Sequence, residues 1–359
     1  MKLRVATSVQ LEKSIEILSA YFTRSTMHMW LIVSTILLTY FLVNANEVNL
    51  YQILLKDYDI QERPVERADE AVIVRMAMVF QQIIRVDEKN QMVEVNAWLK
   101  LSWNDYKLKW KPEQFGGLDR IPLRNTLIWT PDILMYNSAH RKFDATFSTD
   151  VVVAHDGLVT WNLPGIFQLS CTVNMVWFPF DEQHCFMKFG SWTYDTSKLI
   201  LKDDGNNSFD LSRYLDNGEW VLKDTVVEQT IRQYTCCPEP YFDLQFKFSM
   251  KRRTAAYAFN LIIPCTLITM LTLVGFILPP EAGEKVSYQV SLMLTVCIFQ
   301  NYVSEMSPPT SEMLPFLGAF FALCMVTVCL SVVWTVVVLN LYQRDARTHY
   351  MSATVSMKF

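Results

Sequence analysis

The chain has 359 residues, enough for two domains, and is 51% hydrophobic with a formal net charge of −4. So nearly neutral a balance offers no basic face for nucleic acid. Eight cysteines are many for a cytosolic chain of this size, and their positions divide them. Cys171, Cys185, Cys236 and Cys237 stand in polar sequence and read as two disulfides, which persist only in an oxidising space. Cys265, Cys297, Cys324 and Cys329 stand in apolar runs and read as buried thiols that pack like small hydrophobes.

The first apolar run, Met29 to Val43, is short for a membrane span and suits the core of a signal peptide. Val43 and Ala45 supply the small residues of a cleavage point, so residues 1–45 are expected to be a signal region and the mature chain to begin outside the cytosol. The stretch before the run is long and carries Lys2, Arg4, Lys13 and Arg24. Two alternatives therefore stay open: Met27 or Met29 is the true start, or the helix is kept as an anchor.

Residues 46–254 are polar with short apolar alternations, the pattern of strands, preceded by a brief amphipathic helix over 48–57. Within 92–103, Val93, Val95, Ala97, Leu99, Leu101 and Trp103 take one face. Met92, Glu94, Asn96, Trp98, Lys100 and Ser102 take the other. Trp98 is thus a large aromatic on the wet face, where it either covers a neighbouring strand or forms a ligand wall. Asn206-Asn207-Ser208 is a sequon, so Asn206 is a glycosylation candidate.

After Thr254 the character changes. Tyr257 to Leu278 and Leu314 to Tyr342 are apolar and long enough to span a bilayer. Residues 286–304 are also long enough, but are studded with Ser, Gln, Thr, Cys and Asn. On a helix, Glu284, Ser287, Ser291, Leu294, Ile298, Asn301 and Glu305 form one stripe. Such a stripe belongs either in a water-filled lumen or in a polar seam buried between helices. One helix per chain cannot enclose a lumen, so the first reading requires several copies around an axis. The fold class expected is an extracellular all-β sandwich with a short N-terminal helix, followed by an α-helical transmembrane domain with three helices. The domains are 46–254 and 255–342, with a polar, cytoplasmic tail over 343–359. The extracellular part has no paired acid and base and no nucleophile constellation, so no enzyme is expected, and no cofactor or metal.

Cys171 and Cys185 flank an interval containing Trp177-Phe178-Pro179-Phe180-Asp181. Spacing and motif together resemble the signature loop of the Cys-loop family of pentameric ligand-gated ion channels. Three further segments, with Trp98, resemble in order the binding loops of alpha-type nicotinic acetylcholine receptor subunits. They are Trp129-Thr130-Pro131-Asp132 running on to Tyr136, Gly190-Ser191-Trp192-Thr193-Tyr194, and Tyr234-Thr235-Cys236-Cys237 running on to Tyr241. The resemblance extends over about residues 46–342.

The resemblance implies a Cys171–Cys185 disulfide and a vicinal Cys236–Cys237 ring, with reduced thiols or a metal site as alternatives for the second pair. It implies a small quaternary amine as ligand: acetylcholine, choline, betaine or similar. A quaternary ammonium donates no hydrogen bond, so ring faces must hold it, each contact contributing about 0.5–2 kcal/mol. By the resemblance, Tyr136, Trp192, Tyr234, Cys236, Cys237 and Tyr241 form the principal face. Trp98, Val152, Thr160 and Asn162 supply the complementary face of a neighbouring subunit, and Asp132 braces its loop. Both halves lie in one chain, which leaves a homopentamer and a heteropentamer open.

A coupling route is implied too. Lys188, Tyr234 and Asp243 form a rearranging polar cluster, and Glu94 pairs with Arg253. Phe178, Pro179 and Phe180 press on the linker 306–310, which contains Pro308. In the pore, Leu294 and Ile298 form a hydrophobic gate above Ser287 and Ser291, while Glu284 and Glu305 form acidic rings that favour cations. The implied partners are other subunits, membrane lipid and permeant cations, with no nucleic acid. The implied setting is a synaptic plasma membrane, with the N-terminal domain outside. The family carries a fourth helix after a long cytoplasmic loop; the sequence stops soon after its third, which leaves a fragment, a truncated product and a shortened subunit open. Three readings follow: a channel subunit, a non-conducting subunit that modulates full-length partners, or a soluble ligand-binding protein, which the apolar segments disfavour.

Overall fold

The computed structural model describes residues 47–143, 145–205, 208–235, 237–279, 281, 283–306 and 315–344. The expectations for residues 1–45, Asn206, Cys236, Pro308 and the tail beyond Arg344 lie outside the described residues. In chain order the strands are β1 (Val72–Asp87), β2 (Met92–Asn104), β3 (Arg120–Leu123), β4 (Ile133–Met135), β5 (Val151–Ala154) and β6 (Leu158–Ser170). They continue as β7 (Glu182–Ser191), β8 (Leu199–Asp203), β9 (Phe209–Asp210), β10 (Trp220–Arg232) and β11 (Tyr241–Arg252). The helices are α1 (47–55), α2 (Ala255–Ile277), α3 (Lys285–Met306) and α4 (Phe316–Tyr342).

The residues form two compact units. The first takes in 47–72, 102–130 and 149–161. In it β3 pairs antiparallel with β5, and β5 with the start of β6, where Val152 faces Thr160. Trp103 and Trp129 meet edge-on at 5.9 Å in its core. Near them the Tyr58 hydroxyl donates to Asp105 (2.6 Å) and accepts from the Trp129 N–H (3.1 Å). Asp105 also accepts from the Lys107 N–H and so caps a single turn of helix.

The second unit takes in 73–101 and the described residues of 131–148 and from Asn162 onward. Its sandwich has one layer ordered β6-β2-β1-β8, with β9 parallel to β1, and a second ordered β10-β11-β7-β4. Aromatic rings fill the core: Phe80 lies against Phe209 (5.6 Å) and Phe248 (5.4 Å), and Phe189 against Phe167 (6.0 Å) and Phe246 (5.9 Å). Strand β2 buries Val93, Val95, Ala97, Leu99 and Leu101, the face its alternation marks, and leaves Trp98 38% exposed on the other. Cys171 and Cys185 are joined in a disulfide with Cα atoms 5.5 Å apart. Replacing Cys185 by serine is expected to lower stability by about 3 kcal/mol, the loop-closure estimate for a loop of this size, measured by chemical denaturation.

Of the three long helices, α2 and α4 are apolar enough to cross a membrane, with mean hydropathies of 2.1 and 2.6. Each differs slightly from its apolar run. α2 begins at Ala255, ahead of Tyr257, and passes through a π-helical turn at Ala258–Ile262. α3 outruns 286–304 at both ends, because backbone hydrogen bonding continues past the apolar window. α4 starts behind Pro315, whose fixed φ suits a helix entrance. On α3 and at the turn before it, Glu284, Ser287, Ser291, Leu294, Ile298, Asn301 and Glu305 are all exposed, whereas Gln289, Leu292, Val296 and Val303 are buried. The helical bundle and the Cys171–Cys185 loop share a core of Val173, Met175, Phe178, Leu261, Cys265, Val296, Val303 and Phe321.

Candidate ligand site and coupling hub

Strand β4 is held against β7 at Ile133–Ser191, Leu134–Gly190 and Met135–Phe189. That register sets Tyr136 beside Gly190, where the Tyr136 hydroxyl donates to the Ser191 carbonyl. A Cβ on Gly190 would lie 2.6 Å from the ring carbon that carries this hydroxyl, so only glycine admits the tyrosine. Gly190→Ala is therefore expected to displace Tyr136, costing about 1–3 kcal/mol of stability in a thermal melt and weakening whatever ligand Tyr136 contacts.

The next turn presents Trp192. Asp132 fixes it through three bonds: its carboxylate accepts from the Ser191 hydroxyl (2.6 Å) and the Thr193 N–H (2.7 Å), and its carbonyl from the Trp192 N–H (3.3 Å). Asp132 is thus a brace, as the sequence suggested. Held this way, the Trp192 ring is 65% exposed and meets Tyr136 edge-on at 6.2 Å. Phe143 meets the same ring edge-on, also at 6.2 Å.

From the β10–β11 turn, Tyr234 and Tyr241 close the other side, their rings 6.0 Å apart. Together Tyr136, Lys188, Trp192, Tyr234, Cys237 and Tyr241 line a cavity of about 480 Å³. Cys237 is in a disulfide, while Cys236 lies outside the described residues. The only charged group among the described lining residues is Lys188, which is already neutralised. Its ammonium sits 2.9 Å from the carboxylate of Asp243, which is fully buried, and donates to the Tyr234 hydroxyl (3.0 Å). It also lies 5.5 Å from the centroids of both the Tyr136 and Tyr234 rings. Burial, with Tyr234 and Asp243 as secondary causes, pushes the Tyr136 hydroxyl well above its ordinary range, so it remains a protonated donor.

At the membrane-facing end of β11, the expected Glu94–Arg253 pair does not form. Glu94 lies 3.5 Å from Arg85 and accepts from Gln168, while Arg253 is exposed and donates to the Asn217 carbonyl. The neighbouring Arg252 is the hub. Its side chain is wholly buried and pairs with Asp181 (2.8 Å), Glu88 (2.9 Å) and Glu219 (2.9 Å). The guanidinium also stacks on Trp220 at 4.2 Å and approaches Phe178 and Tyr257. Burial works to lower its pKa, but Asp181 and Glu88 overcome this and hold it above the ordinary arginine range. The physical reason for the correction is parity: Phe246, Phe248, Met250 and Arg252 point inward on β11, and Arg253 begins the exit. That alternation was available in the sequence.

The remaining site residues stand as follows. Phe178 is buried and packs edge-on to Tyr257 at 5.1 Å, whereas Phe180 is exposed. Trp177 stacks on Phe316, and the Phe316 N–H donates to the Val176 carbonyl, so the loop touches the start of α4. Pro179 follows Phe178 through a cis peptide bond. The expected target of Phe178–Phe180, residues 307–310, lies outside the described residues. Val152 and Thr160 are neighbours in the first unit; Trp98 and Asn162 are exposed in the second.

Residues 47–254 match the neurotransmitter-gated ion-channel ligand binding domain, and residues 261–359 match the neurotransmitter-gated ion-channel transmembrane region. The chain is 51% identical over 308 residues to acetylcholine receptor subunit alpha-type acr-16 of Caenorhabditis elegans, covering 86% of this chain and 62% of that protein. It is 42% identical over 303 residues to alpha-type acr-15 of the same species, covering 84% and 63%. It is 41% identical over 313 residues to neuronal acetylcholine receptor subunit alpha-4 of Homo sapiens, covering 87% and 50%. The chain thus spans half to about three-fifths of the length of the curated relatives it matches. The matched regions put the helices in the plasma membrane and the sandwich outside the cell, in a family of channels and not of enzymes. The chain belongs to the neurotransmitter-gated ion-channel family, and within it resembles the alpha-type acetylcholine receptor subunits.

Proposed function

We propose that the chain is a subunit of a cation channel gated by acetylcholine or a closely related quaternary amine. The carrying observation is the aromatic cavity lined by Tyr136, Trp192, Tyr234 and Tyr241, whose one charged lining group among the described residues is spent on Asp243. Ring faces attract a cation that cannot hydrogen-bond, and several together favour a trimethylammonium head over a hydrated metal ion. Cys237 lines the same cavity, and Trp98, Val152, Thr160 and Asn162 complete the site from an adjacent subunit of a homo- or heteropentamer.

Lys188 links the Tyr234 hydroxyl to Asp243, so a ligand that moves the Tyr234 ring disturbs the Lys188–Asp243 pair. Asp243 lies on β11, the strand that ends in Arg252. Arg252 ties β11 to Asp181 in the Cys171–Cys185 loop and to Glu88 in the β1–β2 turn, while Phe178 of that loop packs with α2, α3 and α4. Movement of β11 is therefore carried into the bundle through one rigid junction. The exposed stripe on α3 lines the pore, with Leu294 and Ile298 as the hydrophobic gate and Glu284 and Glu305 as the acidic rings. The postsynaptic membrane is the proposed setting, with lipid around the bundle.

The test is current in oocytes expressing the chain alone, and together with a full-length alpha-type subunit, under acetylcholine. The proposal expects acetylcholine-evoked cation current carrying this chain's pore signature. Glu284→Ala in this chain is expected to weaken the preference for cations over anions, read from reversal potentials in diluted sodium chloride. An unchanged reversal potential would remove Glu284 from the pore, and the absence of any acetylcholine response attributable to the chain would contradict the proposal.

A further inference from the structure

Phe143 has a backbone φ of 63°, in the left-handed region that bulky side chains rarely adopt. Nothing about phenylalanine favours that conformation, so the surroundings must impose it. They do so through a loop stapled to β6 on both flanks. Before the turn, the Ala139 N–H donates to the Gln168 carbonyl (2.8 Å); after it, the Phe147 N–H donates to the Pro164 carbonyl (2.8 Å) and Thr146 bridges to Gly165. Between the staples the Phe143 N–H donates to the His140 carbonyl (3.0 Å) and the Lys142 N–H to His140 Nδ1 (3.2 Å). Gly165 permits the close approach: a Cβ there would lie 2.9 Å from the Ala145 carbonyl oxygen and 3.0 Å from the Phe167 ring.

The result of this construction is one contact. The Phe143 ring, 37% exposed, meets Trp192 at 6.2 Å and 73°, nearly matching the Tyr136 contact at 6.2 Å and 75°. Trp192 is itself 65% exposed, so surrounding packing does little to hold its ring. Two edge-on partners fix the plane of an exposed ring, which is what a cation seated on its face requires.

We propose that residues 139–143 and 145–147 form a strap that holds Phe143 against Trp192, and that Phe143 is a positioning residue for recognition of the ammonium ligand. The proposal rests on the reading of the cavity as the ammonium site. It is tested on the full chain in membranes with two readouts: equilibrium binding of acetylcholine, and the fluorine resonance of 5-fluorotryptophan placed at position 192 alone, which needs no ligand. Phe143→Leu is expected to shift or broaden the resonance and weaken binding by about 2- to 10-fold, the range expected of one aromatic pair. Phe143→Tyr is expected to keep both. Phe143→Asn suits the left-handed backbone but lacks the ring, and is expected to behave like Phe143→Leu. Gly165→Ala keeps the ring yet pushes the strap, and should reproduce the same pair of changes.

An unmoved resonance in Phe143→Leu, or wild-type binding in Phe143→Asn, would overturn the proposal. Failure of the underlying site reading looks different: Trp192→Ala would then bind acetylcholine as wild type does, whatever Phe143 does to the resonance.

Discussion

Replacing Arg252 by alanine is expected to destabilise the extracellular domain by about 3–5 kcal/mol, the cost of removing one partner from a buried ion pair. Asp181 is 3% exposed, and the Arg252 guanidinium holds both its oxygens, at 2.8 and 3.1 Å. Without that guanidinium its charge would stay buried beside a Gln183 amide, with no other side-chain donor among the described residues. Chemical denaturation of the purified chain and cell-surface expression both read this loss. Arg252→Lys retains the charge but has no planar fork to reach Asp181, Glu88 and Glu219 together, so it should recover only part of the stability. Arg253→Ala is the control. Arg253 is exposed and donates to a backbone carbonyl, so its loss should stay within about 0.5 kcal/mol. Equal effects at the two positions would contradict the assignment of the hub to Arg252.

Trp192→Ala is expected to weaken acetylcholine binding by about 100-fold, the scale of a binding hot spot, which is a loss of roughly 2–3 kcal/mol. The ring is 65% exposed in the unliganded chain, so little folding energy depends on it and the thermal midpoint should hardly move. A large affinity loss with an unmoved melt separates a binding role from a packing role. Trp192→Phe keeps an aromatic face with a weaker quadrupole and should fall between the two. Asp132→Asn tests the same feature from behind. It removes charge from the acceptor of Ser191 and Thr193 and should cost less than loss of the ring itself.

Features set by a local period were readable from the sequence. The faces of β2 follow from a two-residue alternation, and the exposed stripe of α3 from a helical one, so Trp98, Leu294 and Ile298 could be placed on their faces without coordinates. The Cys171–Cys185 bridge and the aromatic segments were readable as motifs, and the fold brings Tyr136, Trp192, Tyr234, Cys237 and Tyr241 to one cavity. What depends on long-range register was not. Gly190 faces Leu134 across β4–β7, and only that pairing shows why a side chain at 190 is excluded. Phe143 owes its conformation to flanking residues, Ala139 and Phe147, whose N–H groups donate to Gln168 and Pro164 far along the chain, and its own residue type argues against it. The misplaced Glu94–Arg253 pair is a different case. Arg252 ends β11 and Arg253 begins the exit, and the inward set Phe246, Phe248 and Met250 selects Arg252. Glu88 and Glu219 could not have been chosen as its partners, because a turn and a strand end from distant sequence supply them.

The most direct measurement is acetylcholine affinity across a series in which Trp192 carries zero, one, two, three or four fluorines. Each fluorine withdraws charge from the ring face while leaving its shape nearly unchanged, so a cation held by that face loses affinity in even steps. A cage built on Trp192 gives a logarithm of affinity that falls linearly along the series. A flat series, with acetylcholine still bound, would place the ammonium elsewhere and contradict the account.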